Sequence, residues 1–141
     1  MQKYIEKPLL LTHFNELRKF DVRQWALVTS FDPLKIYVFS EFYLRICGSK
    51  YDLNDIEDAY KHLTNFSIQK HNAKVDNKKE DLVMSQAEFF QRAFRNNQEK
   101  CEKVRTGIHE IIVKTIRSAQ EAGVEQKSNC FERYGFDFML D

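Results

Sequence analysis

The sequence predicts a mixed α/β domain built on a largely antiparallel sheet. Short segments rich in β-branched and aromatic residues come first, joined by tight turns. Two segments with apolar residues at helical spacing follow, and one alternating, aromatic segment closes the chain. With 43% apolar and 13% aromatic residues in 141 positions, one ordinary domain has the material for a core.

Residues 2–6 and 9–11 have extended character and are separated by Pro8, which interrupts a ladder. Residues 20–29 combine Val, Trp, Leu and Thr, and Phe31-Asp32-Pro33 supplies a turn. Residues 35–39 and 42–47 are two further strands linked by Ser40-Glu41, so an antiparallel meander is expected. Periodicity then disappears between Gly48 and about Glu80, and the polar stretch at about 72–82 is expected to be a mobile surface loop. Ser85-Gln86-Ala87-Glu88 is a capping box, in which serine and glutamate would satisfy each other's amides at the start of a helix. That helix would bury Phe89, Phe90, Ala93 and Phe94. A second helix, from about Cys101 to Ala122, would bury Val104, Ile108, Ile111, Ile112, Ile116 and Ala119, with Gly123 as its stop. Residues 131–140 return as a strand.

Composition excludes several functions. Twenty-two basic and twenty-one acidic residues leave a net charge of +1, so no global field recruits nucleic acid or a membrane surface. Three widely spaced cysteines and four scattered histidines match neither a disulfide framework nor a zinc motif. They are expected to be reduced, cytoplasmic thiols. No apolar run reaches the roughly 18 residues of a membrane span. GxGxxG and GxxxxGK[ST] are both absent, which disfavours Rossmann and P-loop enzymes. Strand-like sequence at both ends suggests a chain cut from something longer.

Alternation along a strand would place Lys19, Asp21 and Arg23 on one face, across about 13 Å of backbone. Such a row suits a polyanion with a ribose hydroxyl nearby; the alternative is a solvated outer face. Arg45 is either a rim residue or a phosphate clamp. Asp137, between Gly135-Phe136 and Phe138, needs a partner or a metal, magnesium being the natural oxygen-ligated ion beside a nucleotide. Capping a turn or pairing with a lysine are its alternatives. His62-Leu63-Thr64-Asn65 through Gln69-Lys70 brings hydroxyl, amide and ammonium groups together in an irregular segment.

Four motifs in order, Gln2-Lys3-Tyr4-Ile5-Glu6, Lys19-Phe20-Asp21-Val22-Arg23-Gln24-Trp25, His62-Leu63-Thr64-Asn65 through Gln69-Lys70, and Tyr134-Gly135-Phe136-Asp137-Phe138, resemble those of the tubulin tyrosine ligase-like family. The resemblance covers nearly the whole chain. It implies an incomplete ATP-grasp domain and an ATP- and magnesium-dependent reaction, in which a carboxylate becomes an acyl phosphate that an amine attacks. The partners it implies are tubulin or microtubules and a free amino acid, with a cytoskeletal or ciliary location.

By that resemblance, Gln2, Lys3, Tyr4 and Ile5 form the adenine hinge, and Lys19 and Asp21 contact the nucleotide. Arg23 meets an acceptor or amino-acid carboxylate, and Arg45 a phosphate or carboxylate near the reacting centre. Thr64, Asn65 and Lys70 shape the nucleotide and amino-acid site, and Asp137 is the first magnesium ligand. The family's Glu-x-Asn metal motif does not occur after Asp137, and its upstream phosphate-binding lysines are missing. This piece alone is therefore expected to bind nucleotide weakly and to be inactive. Arg23-Gln24-Trp25, Leu27-Val28-Thr29, Asp32-Pro33-Leu34 and Ser67-Ile68-Gln69-Lys70 resemble the glycine-adding branch, whereas Gly135-Phe136-Asp137 is nearer the tyrosine and glutamate ligases. Alternatives to a glycylase are a polyglutamylase, a tyrosine ligase, or an inactive module that binds microtubules or a ciliary partner.

Overall fold

The computed structural model describes residues 3–73, 75, 79–124, 127 and 129–141. Gln2, expected in the adenine hinge, lies outside the described residues. So do positions 74 and 76–78 of the expected mobile loop; of its other residues, Asn72, Val75 and Leu82 are buried.

Among the described residues, six strands form one sheet: β1 (Leu10–His13), β2 (Glu16–Phe31), β3 (Leu34–Val38), β4 (Tyr43–Ile46), β5 (Val83–Ser85) and β6 (Glu132–Phe138). Four α-helices among those residues accompany it: α1 (Ala59–His62), α2 (Phe66–Gln69), α3 (Gln86–Phe94) and α4 (Gln98–Glu121). Every strand pairing is antiparallel, as expected.

The strand order corrects the meander. Val22 and Arg23 pair with both β4 and β6, while Ala26, Leu27 and Val28 pair with both β3 and β6. Thus β3 and β4 follow one another along one edge of β2, opposite β6, instead of pairing together. This is possible because β2 runs for 16 residues, well beyond the ten expected at 20–29. The segment at 3–7 is not a strand, a second correction. It runs irregularly beside the sheet, tied by the Tyr51 hydroxyl, which donates to the Glu6 carbonyl at 2.8 Å.

Alternation along β2 divides the molecule. Phe20, Val22, Gln24, Ala26 and Val28 are buried on the core side. Gln24 is satisfied there by donating to the carbonyls of Trp25 and Phe39. α3 and α4 cover this side through Phe89, Phe90, Cys101, Ile108, Ile112 and Ile116. The Phe20 and Phe89 rings are 5.4 Å apart, and those of Phe42 and Phe90 5.5 Å.

α3 begins where Ser85 caps it, accepting from the Glu88 amide at 3.2 Å. The Glu88 carboxylate pairs with Arg92, one turn along, so only the serine arm of the capping box is present. α4 ends before Gly123, whose φ of +85° suits glycine. Its expected stripe needs one correction, since Ile111 is 50% exposed. Ile108, Ile112 and Ile116, four residues apart, carry the buried seam.

Candidate functional site

The other side of β2 presents Lys19, Asp21 and Arg23, as alternation requires, but it is not a solvated face. Lys19 is 5% exposed and Asp21 9%. Neighbouring strands complete the arrangement by register: Arg45 of β4 lies opposite Asp21, and Asp137 of β6 lies opposite Arg23. Residues far apart in sequence therefore become cross-strand partners on one surface.

The polar contacts form a continuous chain. Arg23 grips Asp137 with two bonds, Nε to Oδ1 at 2.5 Å and Nη2 to Oδ2 at 3.0 Å. Arg45 grips Asp21 in the same forked way, Nε to Oδ1 at 2.9 Å and Nη2 to Oδ2 at 2.5 Å. The same Arg45 Nη2 lies 2.9 Å from Asp137 Oδ2, so it bridges both carboxylates. Thr64 donates its hydroxyl to Asp21 Oδ2 at 2.6 Å and thereby docks the 60s segment onto the sheet. Asp137 thus pairs with two arginines, not with a lysine or a turn. Arg45 is no rim residue either, its side chain being only 13% exposed.

Electrostatics follow from this packing. Burial opposes the Arg45 charge, but Asp21 and Asp137 more than offset it, so its pKa lies above that of ordinary arginine. Lys19 is different. Burial holds its ammonium below the usual lysine range, and the nearby Cys47, Tyr51 and Asp21 only partly offset this. No carboxylate among the described residues pairs with it; its Nζ donates to the Tyr4 hydroxyl at 3.1 Å and lies 4.5 Å from that ring's centre. Burial pushes the Cys47 thiol up to about 12, so it stays neutral beneath the lysine. Three cations against two carboxylates leave this surface one positive charge in excess, located at a buried ammonium with spare donors. The chemistry of such a surface suits an anion.

Among the described residues, no group of three His, Cys, Asp or Glu side chains could enclose a metal ion. A magnesium ion, however, takes one or two protein carboxylates and fills its octahedron with phosphate oxygens and water. Asp137 fits one such position: its side chain is 43% exposed and a carboxylate has lone pairs beyond those its arginines use.

The structure brings together Tyr4, Lys19, Asp21, Arg23, Arg45, Thr64 and Asp137. It does not tie the side chains of Lys3, Ile5, Asn65 or Lys70 to this cluster among the described residues. Lys3 is exposed, 3.9 Å from Glu6. Asn65 caps α2 through its carbonyl, and Lys70 follows that helix as an exposed residue.

Sequence reasoning missed three supports. Gln69 is fully buried, accepting from the Gly48 amide and donating to the carbonyls of Tyr60 and Leu63. His62, part of a recognised motif but given no role, hydrogen-bonds Tyr4. Trp25 lies across Gly135, where an added Cβ would come within 2.9 Å of the indole ring, and the guanidiniums of Arg23 and Arg133 lie 5.3 and 4.8 Å from its centre. The aromatic residue two positions after Arg23 was the available signal for that last support.

Comparison with known proteins is consistent along the whole chain. A family model described as "Tubulin-tyrosine ligase family" matches residues 1–141. The chain is 42% identical over 146 residues to tubulin glycylase 3E of Tetrahymena thermophila, covering all of this chain and 10% of that protein. It is 36% identical over 143 residues to tubulin glycylase 3B of the same organism, covering 12% of that protein. It is also 36% identical over 160 residues to tubulin polyglutamylase TTLL7 of Mus musculus, covering 17% of that protein. The chain therefore spans between 10% and 17% of the length of these relatives.

Proposed function

The chain belongs to the tubulin-tyrosine ligase family, and from that premise we propose that it forms part of an ATP-dependent ligase that joins an amino acid, glycine foremost, to tubulin. The observation that carries the proposal is the convergence of Lys19, Asp21, Arg23, Arg45 and Asp137 on one surface, with a buried cation in excess. Nothing about a solvated sheet face would require that burial.

The reaction divides into two displacements. A carboxylate oxygen attacks the terminal phosphorus of ATP and ADP leaves; the amine nitrogen then attacks the acyl phosphate and phosphate leaves. Both steps concentrate negative charge, so pre-positioned cations lower the barrier. Lys19 would meet phosphate oxygens, and Asp21, held by Arg45 and Thr64, would accept from a ribose hydroxyl. The planar forks of Arg23 and Arg45 are held by Asp137 and Asp21, so each would meet a substrate carboxylate by exchanging that partner for it. Gln2, Lys3, Tyr4 and Ile5 would line adenine, and Asn65 and Lys70 would close the 60s segment over the ligands. Asp137 would hold magnesium, which supplies charge neutralisation at the transferring phosphoryl group.

Glycine is favoured by the relatives at up to 42% identity and by the hollow beside Arg45. Tyr43, Arg45, Thr64, Phe66, Leu82 and Val83 line this hollow, whose volume is about 160 Å³. Arg45 is the single charged residue among them and already bridges Asp21 and Asp137, so the hollow offers no second cation to a side-chain carboxylate. Polyglutamylation is the second reading, favoured by the equal identity to mouse TTLL7 and to glycylase 3B. A cytoskeletal or ciliary location goes with either.

Incubating the complete protein with tubulin, ATP, magnesium and labelled glycine, glutamate or tyrosine decides among these. Incorporation of glycine alone is expected; incorporation of none of the three would overturn the ligase reading and leave an inactive binding module. Asp137→Ala should lower turnover by at least about a hundredfold, the scale of losing a principal electrostatic group. Unchanged turnover would remove the metal assignment.

A further inference from the structure

Among the described residues, no counter-ion pairs with Lys19 to fix its position. Its Nζ meets the hydroxyl of Tyr4 at 3.1 Å, and that hydroxyl lies 2.8 Å from Nδ1 of His62. The opposite ring nitrogen, Nε2, lies 2.9 Å from the carbonyl oxygen of Asp55. With a neutral imidazole, donor directions along this chain follow from its far end. A carbonyl only accepts, so Nε2 carries the hydrogen; Nδ1 of the neutral ring is then an acceptor, to which the Tyr4 hydroxyl donates. That leaves the lone pairs of the tyrosine oxygen directed at the ammonium, which has only donors.

Packing makes the chain a support as well as a circuit. His62 is 6% exposed, its ring set edge-on to Tyr4 and Tyr51 with centroids 6.0 and 5.3 Å away. Tyr4, by contrast, stands on the irregular segment at 3–7 and is 43% exposed, so no strand ladder fixes it. His62 is the buried anchor, Tyr4 the arm, and Lys19 the group held at the arm's end.

We propose that His62 is a positioning residue for the nucleotide site: acting through the Tyr4 hydroxyl, it sets the direction of the Lys19 ammonium toward the polyphosphate. The proposal rests on the reading of Lys19 as a phosphate contact given above. It extends that reading to a buried residue that acts through another side chain.

Two measurements on the full chain test it. Nitrogen-15 NMR of labelled protein should show His62 with hydrogen on Nε2; hydrogen on Nδ1 would overturn the relay whether or not nucleotide binds. ATP titrations of Tyr4→Phe, which keeps the ring, and His62→Leu should each show affinity about tenfold to a hundredfold weaker, the effect of one lost bond to a charged group. The double variant should be no weaker than the worse single one, because both break the same path. His62→Asn, which keeps an acceptor near Nδ1, should recover most of the loss. Additive losses, wild-type affinity in Tyr4→Phe, or no recovery with asparagine would each overturn the proposal. Should His62→Leu fail to fold, Tyr4→Phe and His62→Asn still decide. If wild-type protein binds no ATP, or Lys19→Met binds it normally, the nucleotide reading has failed; the relay is then judged by the His62 tautomer and by a shift of the Lys19 ammonium signal in Tyr4→Phe.

Discussion

At Lys19, function and stability pull in opposite directions. A buried ammonium with one hydroxyl partner among the described residues is costly in the unliganded fold, and methionine has the same unbranched shape without the charge. Lys19→Met should therefore stabilise the chain by about 1 kcal/mol, a rise of roughly 3 °C in Tm, while losing ATP binding. Because folding lowers the Lys19 pKa from 10.5, the unfolded chain binds that proton more tightly, and wild-type stability rises with pH approaching that value. The gap between wild type and variant should narrow over the same window, which thermal melts at several pH values would read. Gly48 is the opposite case, a position with no room. A Cβ there would lie 2.5 Å from Gln69 Oε1 and from Val75 Cγ2, and Gln69 is pinned by its own bonds to two carbonyls. Gly48→Ala should cost about 1–3 kcal/mol in urea unfolding and loosen the segment that carries Thr64.

Among the elements, α4 shows where helical periodicity suffices and where it does not. Isoleucines at 108, 111, 112 and 116 all suit one apolar face of a helix. The sheet, however, contacts only a narrow stripe, and position 111 falls at its edge, about 100° from Ile112. Ile112→Ala should cost about 2–5 kcal/mol, because a fully buried side chain leaves a cavity. Ile111→Gln should change stability by no more than about 0.5 kcal/mol, as exposed positions do. Equal losses at the two sites in urea titrations would contradict the packing described. β2 teaches the complementary point. Its composition marked a strand over ten residues, but the segment extends to Glu16 and Phe31 because β1 and β3 pair with its two ends.

Across the whole molecule, the site surface and the core are the two faces of one strand. A ligand held at Lys19 and Asp21 therefore acts on the element from which the sheet is organised. At ATP one hundred times its dissociation constant, binding should add about 2.7 kcal/mol to the stability of the chain, seen as a rise in Tm that grows with nucleotide concentration. Amide protection should increase along β2 and in the 60s segment more than in α4. Lys19→Met should abolish both effects.

Much of this was legible in the sequence. Alternation placed Lys19, Asp21 and Arg23 on one face, helical spacing located α3 and α4, and the four ordered motifs identified the family and contain Lys19, Asp21, Arg23 and Asp137, while Arg45 stood out only as a cation in an otherwise apolar strand. Local rules reach that far because side-chain period and capping depend only on near neighbours. Tertiary structure alone decided that β3 and β4 share an edge of β2, that Arg45 faces Asp21 and Asp137 faces Arg23, and that His62 reaches Tyr4. Those partners are separated by 24, 114 and 58 positions, and register between distant strands arises from burying one face of the whole sheet, which no local pattern encodes.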